Sequence, residues 1–130
     1  MRPESGSVSV VLVAGVLLFC LTALAAADVG AMVVARARAQ AGADAAALAA
    51  AVNQVRILGQ TEDPVTAARA LAEANGTRLV RCVCDEGDLE ARVEVETAPR
   101  LAFLTGWMNR RVRAEAVARV DEAITTYRDG

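Results

Sequence analysis

No charged residue occurs between Glu4 and Asp28, and positions 8–27 hold eleven Val, Leu or Phe residues. Twenty residues of that character are enough to cross the hydrocarbon core of a bilayer as a helix. The pattern therefore predicts a membrane span over about 8–27. No proline interrupts the chain from Pro3 to Pro64, and residues 35–52 are mostly alanine, the strongest helix former. One helix is expected from about Ser5 to about Val55, about 75 Å long at 1.5 Å per residue. Alanine recurs at every fourth position, at Ala23, Ala27, Ala31, Ala35, Ala39, Ala43, Ala47 and Ala51. Such a row is an inclined ridge shallow enough for another helix to approach closely. The candidate assembly positions are Ala27, Ala31, Ala35, Ala39, Ala43 and Ala47, with Asp44 beside them. Two kinds of partner suit the ridge: other subunits, including further copies of this chain, or the protein's own sheet.

After Gly59 the pattern changes to a mixed, charged sequence. Asp63-Pro64 supplies a helix cap and a first-turn proline, Val65 to Ala74 reads as a short amphipathic helix, and Asn75-Gly76 closes it. Leu79 to Cys84 is a β run and Asp85-Glu86-Gly87-Asp88 a turn. Leu89, Ala91, Val93 and Val95 then alternate with Glu90, Arg92, Glu94 and Glu96, the period of a strand with one wet face. Residues 99–108, which include Phe103 and Trp107, read as a short helical or irregular connection. A third strand follows, with Val112, Ala114, Ala116, Ala118 and Val120 inward. The expected fold class is α+β. It consists of a transmembrane and protruding helix over 1–55, then a small extracytoplasmic domain over 56–130 built on a three-stranded antiparallel sheet with one or two short helices. The charged outer face of the sheet reads as a solvated surface.

Composition narrows the function. Hydrophobic residues make up 55% of the chain but aromatics only 3%, so the apolar excess is Ala, Val and Leu. Histidine is absent, which removes histidine-ligated metals, Ser-His-Asp and Cys-His catalysis, and the commonest acid/base at neutral pH. All 14 cationic residues are Arg against 16 acids, and no basic block exceeds Arg110-Arg111 with nearby Arg113. Nucleic acid is not an expected partner. No catalytic residue, cofactor or metal is expected, and the chain reads as a non-enzyme. The acidic turn at Asp85, Glu86 and Asp88 lacks the spacing of a calcium loop.

Asp28, at the outer edge of the apolar span, is expected to be solvated or to sit among lipid headgroups. Cys20 lies within the span. Cys82 and Cys84 are two apart in a strand, which puts both thiols on one face. Buried reduced thiols are the default reading, because a bridge between them distorts an extended chain. Outside the cytoplasm they could bridge to each other after local distortion, or to another copy. Ala25-Ala26-Ala27 before Asp28 also fits a signal-peptidase site. Cleavage there would release a secreted or anchored binding module. The apolar run is longer than a usual signal core, however, and helix-like sequence continues past it.

Gln40-Ala41-Gly42-Ala43-Asp44-Ala45-Ala46-Ala47-Leu48-Ala49-Ala50-Ala51, preceded by Arg36-Ala37-Arg38 and by Gly6-Ser7-Val8 at the start of the apolar helix, resembles the TadE/TadG-like proteins of the Flp (tight adherence) pilus. It is most similar to the short TadE-like proteins of high-GC Gram-positive bacteria. The segment from Ala74 to Cys82, with Asn75-Gly76 leading into a strand, looks like that group too. The resemblance implies a minor pilin-like or pseudopilin-like component of a Tad/Flp-type pilus or related secretion apparatus. Such a component is held in membrane lipid by its amino-terminal helix, crosses the cell membrane once, and carries its carboxy-terminal domain outside. Its implied partners are other subunits of that apparatus. It also implies a processing site between Gly6 and Ser7, but Val11 stands where prepilin processing normally finds a glutamate. Members often carry a cysteine in the helix before Asn-Gly for a helix-to-strand bridge. Here Ala67, Ala68, Ala70 and Ala72 occupy those positions, and Cys84 is the unusual addition.

Overall fold

The computed structural model describes residues 5–55, 62–85, 87–101 and 110–121. Helix α1 (Ser5–Gln54) is continuous, as its unbroken alanine-rich, proline-free sequence requires. Helix α2 (Pro64–Ala74) and strands β1 (Arg78–Val83), β2 (Glu90–Thr97) and β3 (Val112–Arg119) follow. The strands form one antiparallel sheet in the order β1-β2-β3. The α+β expectation holds, with two helices beside a three-stranded sheet. Residues 102–108 of the expected connection, with Phe103 and Trp107, and Glu86 of the expected turn lie outside the described residues.

Helix α2 starts where the sequence places its cap. The Asp63 carboxylate accepts from the Thr66 backbone N–H and from its hydroxyl, both at 3.0 Å, so one orphan donor of the first turn is satisfied. The helix ends with Gly76 at φ +70°, a left-handed conformation that suits glycine, and the Thr77 N–H returns to the Ala72 carbonyl at 3.0 Å. That reversal sends the chain directly into β1. A register irregularity between Leu79 and Arg81 leaves Val80 and Arg81 both exposed, while Leu79 and Cys82 pack inward.

The chain folds back on its own long helix. The core joins Ala43, Ala46, Ala47, Ala50 and Ala51 of α1 to Ala68 and Ala72 of α2 and to Ala91, Val93 and Val95 of β2, with Ala116 of β3 at its margin. The largest fully buried side chains among the described residues are Val93 and Val95 of this core and Pro64 at the start of α2. Side chains this short let helix and sheet approach closely, which compensates for the lack of large core-filling rings. The sequence change near residue 55 is therefore not a boundary of packing, because the core runs across it.

Candidate functional site

Two halves of α1 have opposite environments. The first is exposed on every side: Val8, Val11, Leu17, Leu18 and Phe19 are each more than 60% accessible. Within α1 the most apolar stretch is wholly unburied, and the helix is long and apolar enough to cross a membrane. Gly6 and Ser7, the residues of the processing motif, lie in the first turns of this helix. Cys20 is exposed on it.

The second half is embedded in the protein's own domain. Ala35, Ala39, Ala43 and Ala47 are 0–3% exposed. Four of the ridge positions considered for subunit packing are thus covered within this chain, Ala43 and Ala47 by α2 and the sheet. Ala27 and Asp44 are exposed and Ala31 half-buried. On the side of α1 turned away from the domain, Val33, Ala37, Ala41, Asp44 and Leu48 are accessible, with Leu48 61% exposed. Asp28, expected to be solvated or at headgroup level, is instead 4% exposed. Protein atoms therefore pack around the helix down to its level.

Gly42 is where α1 meets the start of β1. A methyl group added there would lie 2.4 Å from Thr77 Oγ1 and 2.7 Å from its Cγ2. Thr77 cannot rotate away freely, since its hydroxyl donates to the Ala72 carbonyl at 2.8 Å. At the far end of α1, the buried Gln54 side chain donates to the Asp85 carbonyl at 2.8 Å and the Glu90 carbonyl at 3.4 Å. The Gly87 N–H donates to the Gln54 carbonyl at 3.3 Å. The helix end thereby holds the β1–β2 turn. Neither contact was read from the sequence, although a glycine inside an alanine run is a signal of close backbone approach.

The outer face of the sheet, expected to be simply solvated, is an ion-pair lattice. Glu94 lies opposite Glu115 in the β2–β3 register, a repulsive placement relieved by flanking arginines. Arg113 reaches Glu94 at 3.3 Å and Glu96 at 3.7 Å, and Arg92 reaches Glu115 at 3.5 Å and Glu90 at 3.6 Å. Glu96, 4% exposed, also receives Arg78 and Arg111. The hydrogen bond from Arg78, then that from Arg111, holds its carboxyl below the usual carboxylate range. Arg119 does the same for Glu90, and Glu90 raises the pKa of Arg119 in return. A broad open concavity of about 1100 Å³ lies over this face near Arg81, Glu90, Arg92 and Arg119. Each of those arginines faces a glutamate within 4 Å, so the lattice is neutralised from within.

Cys82 and Cys84 form a disulfide with Cα atoms 5.4 Å apart. The default reading as reduced thiols is corrected here. The distortion needed is small, because β1 ends at Val83 and Cys84 has already left the extended strand. Among the described residues, no three His, Cys, Asp or Glu side chains are grouped as a metal site requires.

Residues 6–53 match the model of the Tad family, the Flp pilus-assembly TadE/G-like domains. The match takes in nearly all of α1, both its exposed apolar half and its embedded half, and stops before α2 and the sheet. No curated protein and no solved structure matches the chain.

Proposed function

We propose that this chain, which carries a TadE/G-like Flp pilus-assembly domain over residues 6–53, is a minor pilin-like or pseudopilin-like structural subunit of a Tad/Flp-type pilus or related secretion apparatus. The observation that carries this reading is the division of α1. The family-matched helix is bare and apolar over its first half and forms the spine of a small domain over its second. A helix of that kind anchors in lipid while presenting a rigidly attached domain at a fixed height.

On this reading the protein crosses the cell membrane once, with its domain outside. The Cys82–Cys84 disulfide supports that side, since such bonds persist in oxidising compartments. It acts by assembly rather than catalysis. Its partners, whether other pilus subunits or further copies, pack on the helix surface that its own domain leaves uncovered, from Ala27 and Ala31 to Asp44 and Leu48. The position of Val11 favours a persistent membrane subunit that caps, anchors or initiates a pilus over a bulk filament subunit.

The mature amino terminus, determined by mass spectrometry on separated membrane and culture fractions, tests the proposal. The expected product is membrane-bound and retains the apolar half of α1. A start at Ser7 would show that processing tolerates Val11 and would assign the chain to the filament. A soluble product beginning at Asp28 would overturn the proposal in favour of a released binding module.

A further inference from the structure

The arginines that are scattered along the sequence come together at one end of the domain. Helix α1 sets the vertical axis, with its apolar half below and its domain-bearing half above. Arg38 lies against Gly76, its Cδ 3.4 Å from where a Cβ would stand, and Gly42 lies against Thr77. The start of β1, the end of β2 and the start of β3 are therefore level with residues 38–42, because Arg78 pairs with Glu96 and Glu96 with Arg113. This is the end of the sheet nearest the bare apolar helix. The opposite end, at the Asp85–Gly87 turn, is held by Gln54.

Six exposed arginines occupy the lower end: Arg36, Arg38, Arg78, Arg100, Arg110 and Arg111. Nearby acids do not balance them. Glu96 is enclosed by Arg78 and Arg111, Asp28 below Arg36 is buried with an interaction of its own, Glu73 is exposed at the end of α2, and Asp44 lies farther along α1 and accepts from Gln40 at 2.9 Å. Among the described residues, no acid pairs with Arg36, Arg38, Arg100 or Arg110. The upper end is the reverse, with Glu62, Asp63, Asp85, Asp88 and Asp121 exposed against Arg92 and Arg119, which pair with Glu90. The domain is thus polarised along α1, although the whole chain carries only −2.

We propose that the arginine belt at the lower end of the domain binds anionic phospholipid headgroups at the surface of the membrane that α1 crosses. The proposal rests on the anchoring reading above. Continuity with the apolar segment selects lipid as the occupant. The apolar span ends at Ala27, and Arg36 and Arg38 stand about 14 and 17 Å beyond it along the helix, of which the headgroup layer takes up about 5–7 Å. The remaining separation of about 7–12 Å is comparable to the Debye length of about 10 Å, so headgroup charge reaches the belt only partly screened. Guanidinium groups also match phosphate by paired hydrogen bonds. The axial polarity then sets the posture of the domain, with its acidic end held away from an anionic surface.

The test uses the full chain and a variant with Arg36, Arg38, Arg100 and Arg110 all changed to Gln, which leaves the Arg78–Glu96–Arg111 cluster intact. Both are reconstituted in vesicles of phosphatidylcholine alone or mixed with phosphatidylglycerol, and the lipids retained after gentle detergent extraction are counted by native mass spectrometry. The wild type should retain phosphatidylglycerol over phosphatidylcholine by at least tenfold, and added salt should weaken that preference. The variant should lose most of the preference while keeping its circular dichroism and its carbonate-resistant membrane association. Equal retention of both lipids by a carbonate-resistant wild type would overturn the belt proposal alone. If the same substitutions instead turned an oligomer into a monomer with no change in lipid retention, the belt would be a contact to a second copy, and the lipid proposal would fall. Loss of carbonate-resistant association by the wild type would overturn the anchoring reading, and this proposal with it.

Discussion

Gly42 on α1 and Thr77 at the start of β1 touch so closely that no side chain fits between them: a Cβ at 42 would stand 2.4 Å from the Thr77 hydroxyl oxygen. Gly42→Ala should therefore destabilise the domain, although alanine suits a helix better. Overpacking costs about 1–3 kcal/mol, against about 1 kcal/mol gained in helix propensity. Gly30→Ala meets open space and should be neutral or stabilising. In a Thr77→Ala background the cost of Gly42→Ala should shrink. Thermal unfolding of the wild type, the three single variants and the double variant in one detergent checks this, and equal costs in both backgrounds would refute the contact.

Gln54 joins the end of α1 to the hairpin through the Asp85 and Glu90 carbonyls. Gln54→Leu keeps an apolar stem but leaves both acceptors without that donor. A loss of about 1–3 kcal/mol is expected. Hydrogen exchange should accelerate first at Gly87, whose N–H bonds to residue 54, before protection is lost in the middle of β2.

The Glu96 cluster makes the domain sensitive to acid. Arg78 and Arg111 lower the Glu96 pKa in the folded state, so the unfolded chain binds this proton more readily. The contribution is fully present above the ordinary glutamate pKa of about 4.3 and is lost as pH falls through the lower folded value. Glu90, lowered by Arg119, acts in the same direction. Unfolding curves measured from pH 7 down to pH 3 should show a loss below about pH 4.5 that Glu96→Gln flattens.

The Cys82–Cys84 bridge spans a single intervening residue. Cross-links that close short loops restrict the unfolded chain least, so replacing both cysteines by alanine should cost less than the usual 2–4 kcal/mol of a disulfide. In the unreduced, denatured protein a maleimide should label Cys20 alone. Labelling at three sites would contradict the bridge.

The core shared across residue 55 gives a test by truncation. A fragment beginning at Asp28 keeps every buried alanine of α1 and should fold without detergent. One beginning at Arg56 lacks Ala43, Ala46, Ala47, Ala50 and Ala51 and should remain unfolded. Circular dichroism and proteolysis separate the two outcomes.

Local structure was legible in the sequence wherever it depends on local chemistry. Asp63-Pro64 and Asn75-Gly76 delimited α2, and the two-residue alternation of Leu89, Ala91, Val93 and Val95 identified the buried face of β2. Propensity, capping and periodicity act over a few residues, so the chain displays them directly. The span of bare apolar residues was legible for the same reason. Partnership across long sequence distances was not. Nothing about Ala35, Ala39, Ala43 and Ala47 distinguishes a ridge meant for a second subunit from one that lies on the chain's own sheet. Their burial was decided by the reversal at Gly76 and by the close approach that Gly42 permits. The alternating charges of β2 and β3 announced a wet face, but only the strand register put each glutamate beside its arginines. Arginines at positions 36 through 111 form no basic run in the chain. They share one end of the domain because two helices and three strands reverse direction in turn along α1, and such a sum of reversals exists only in three dimensions.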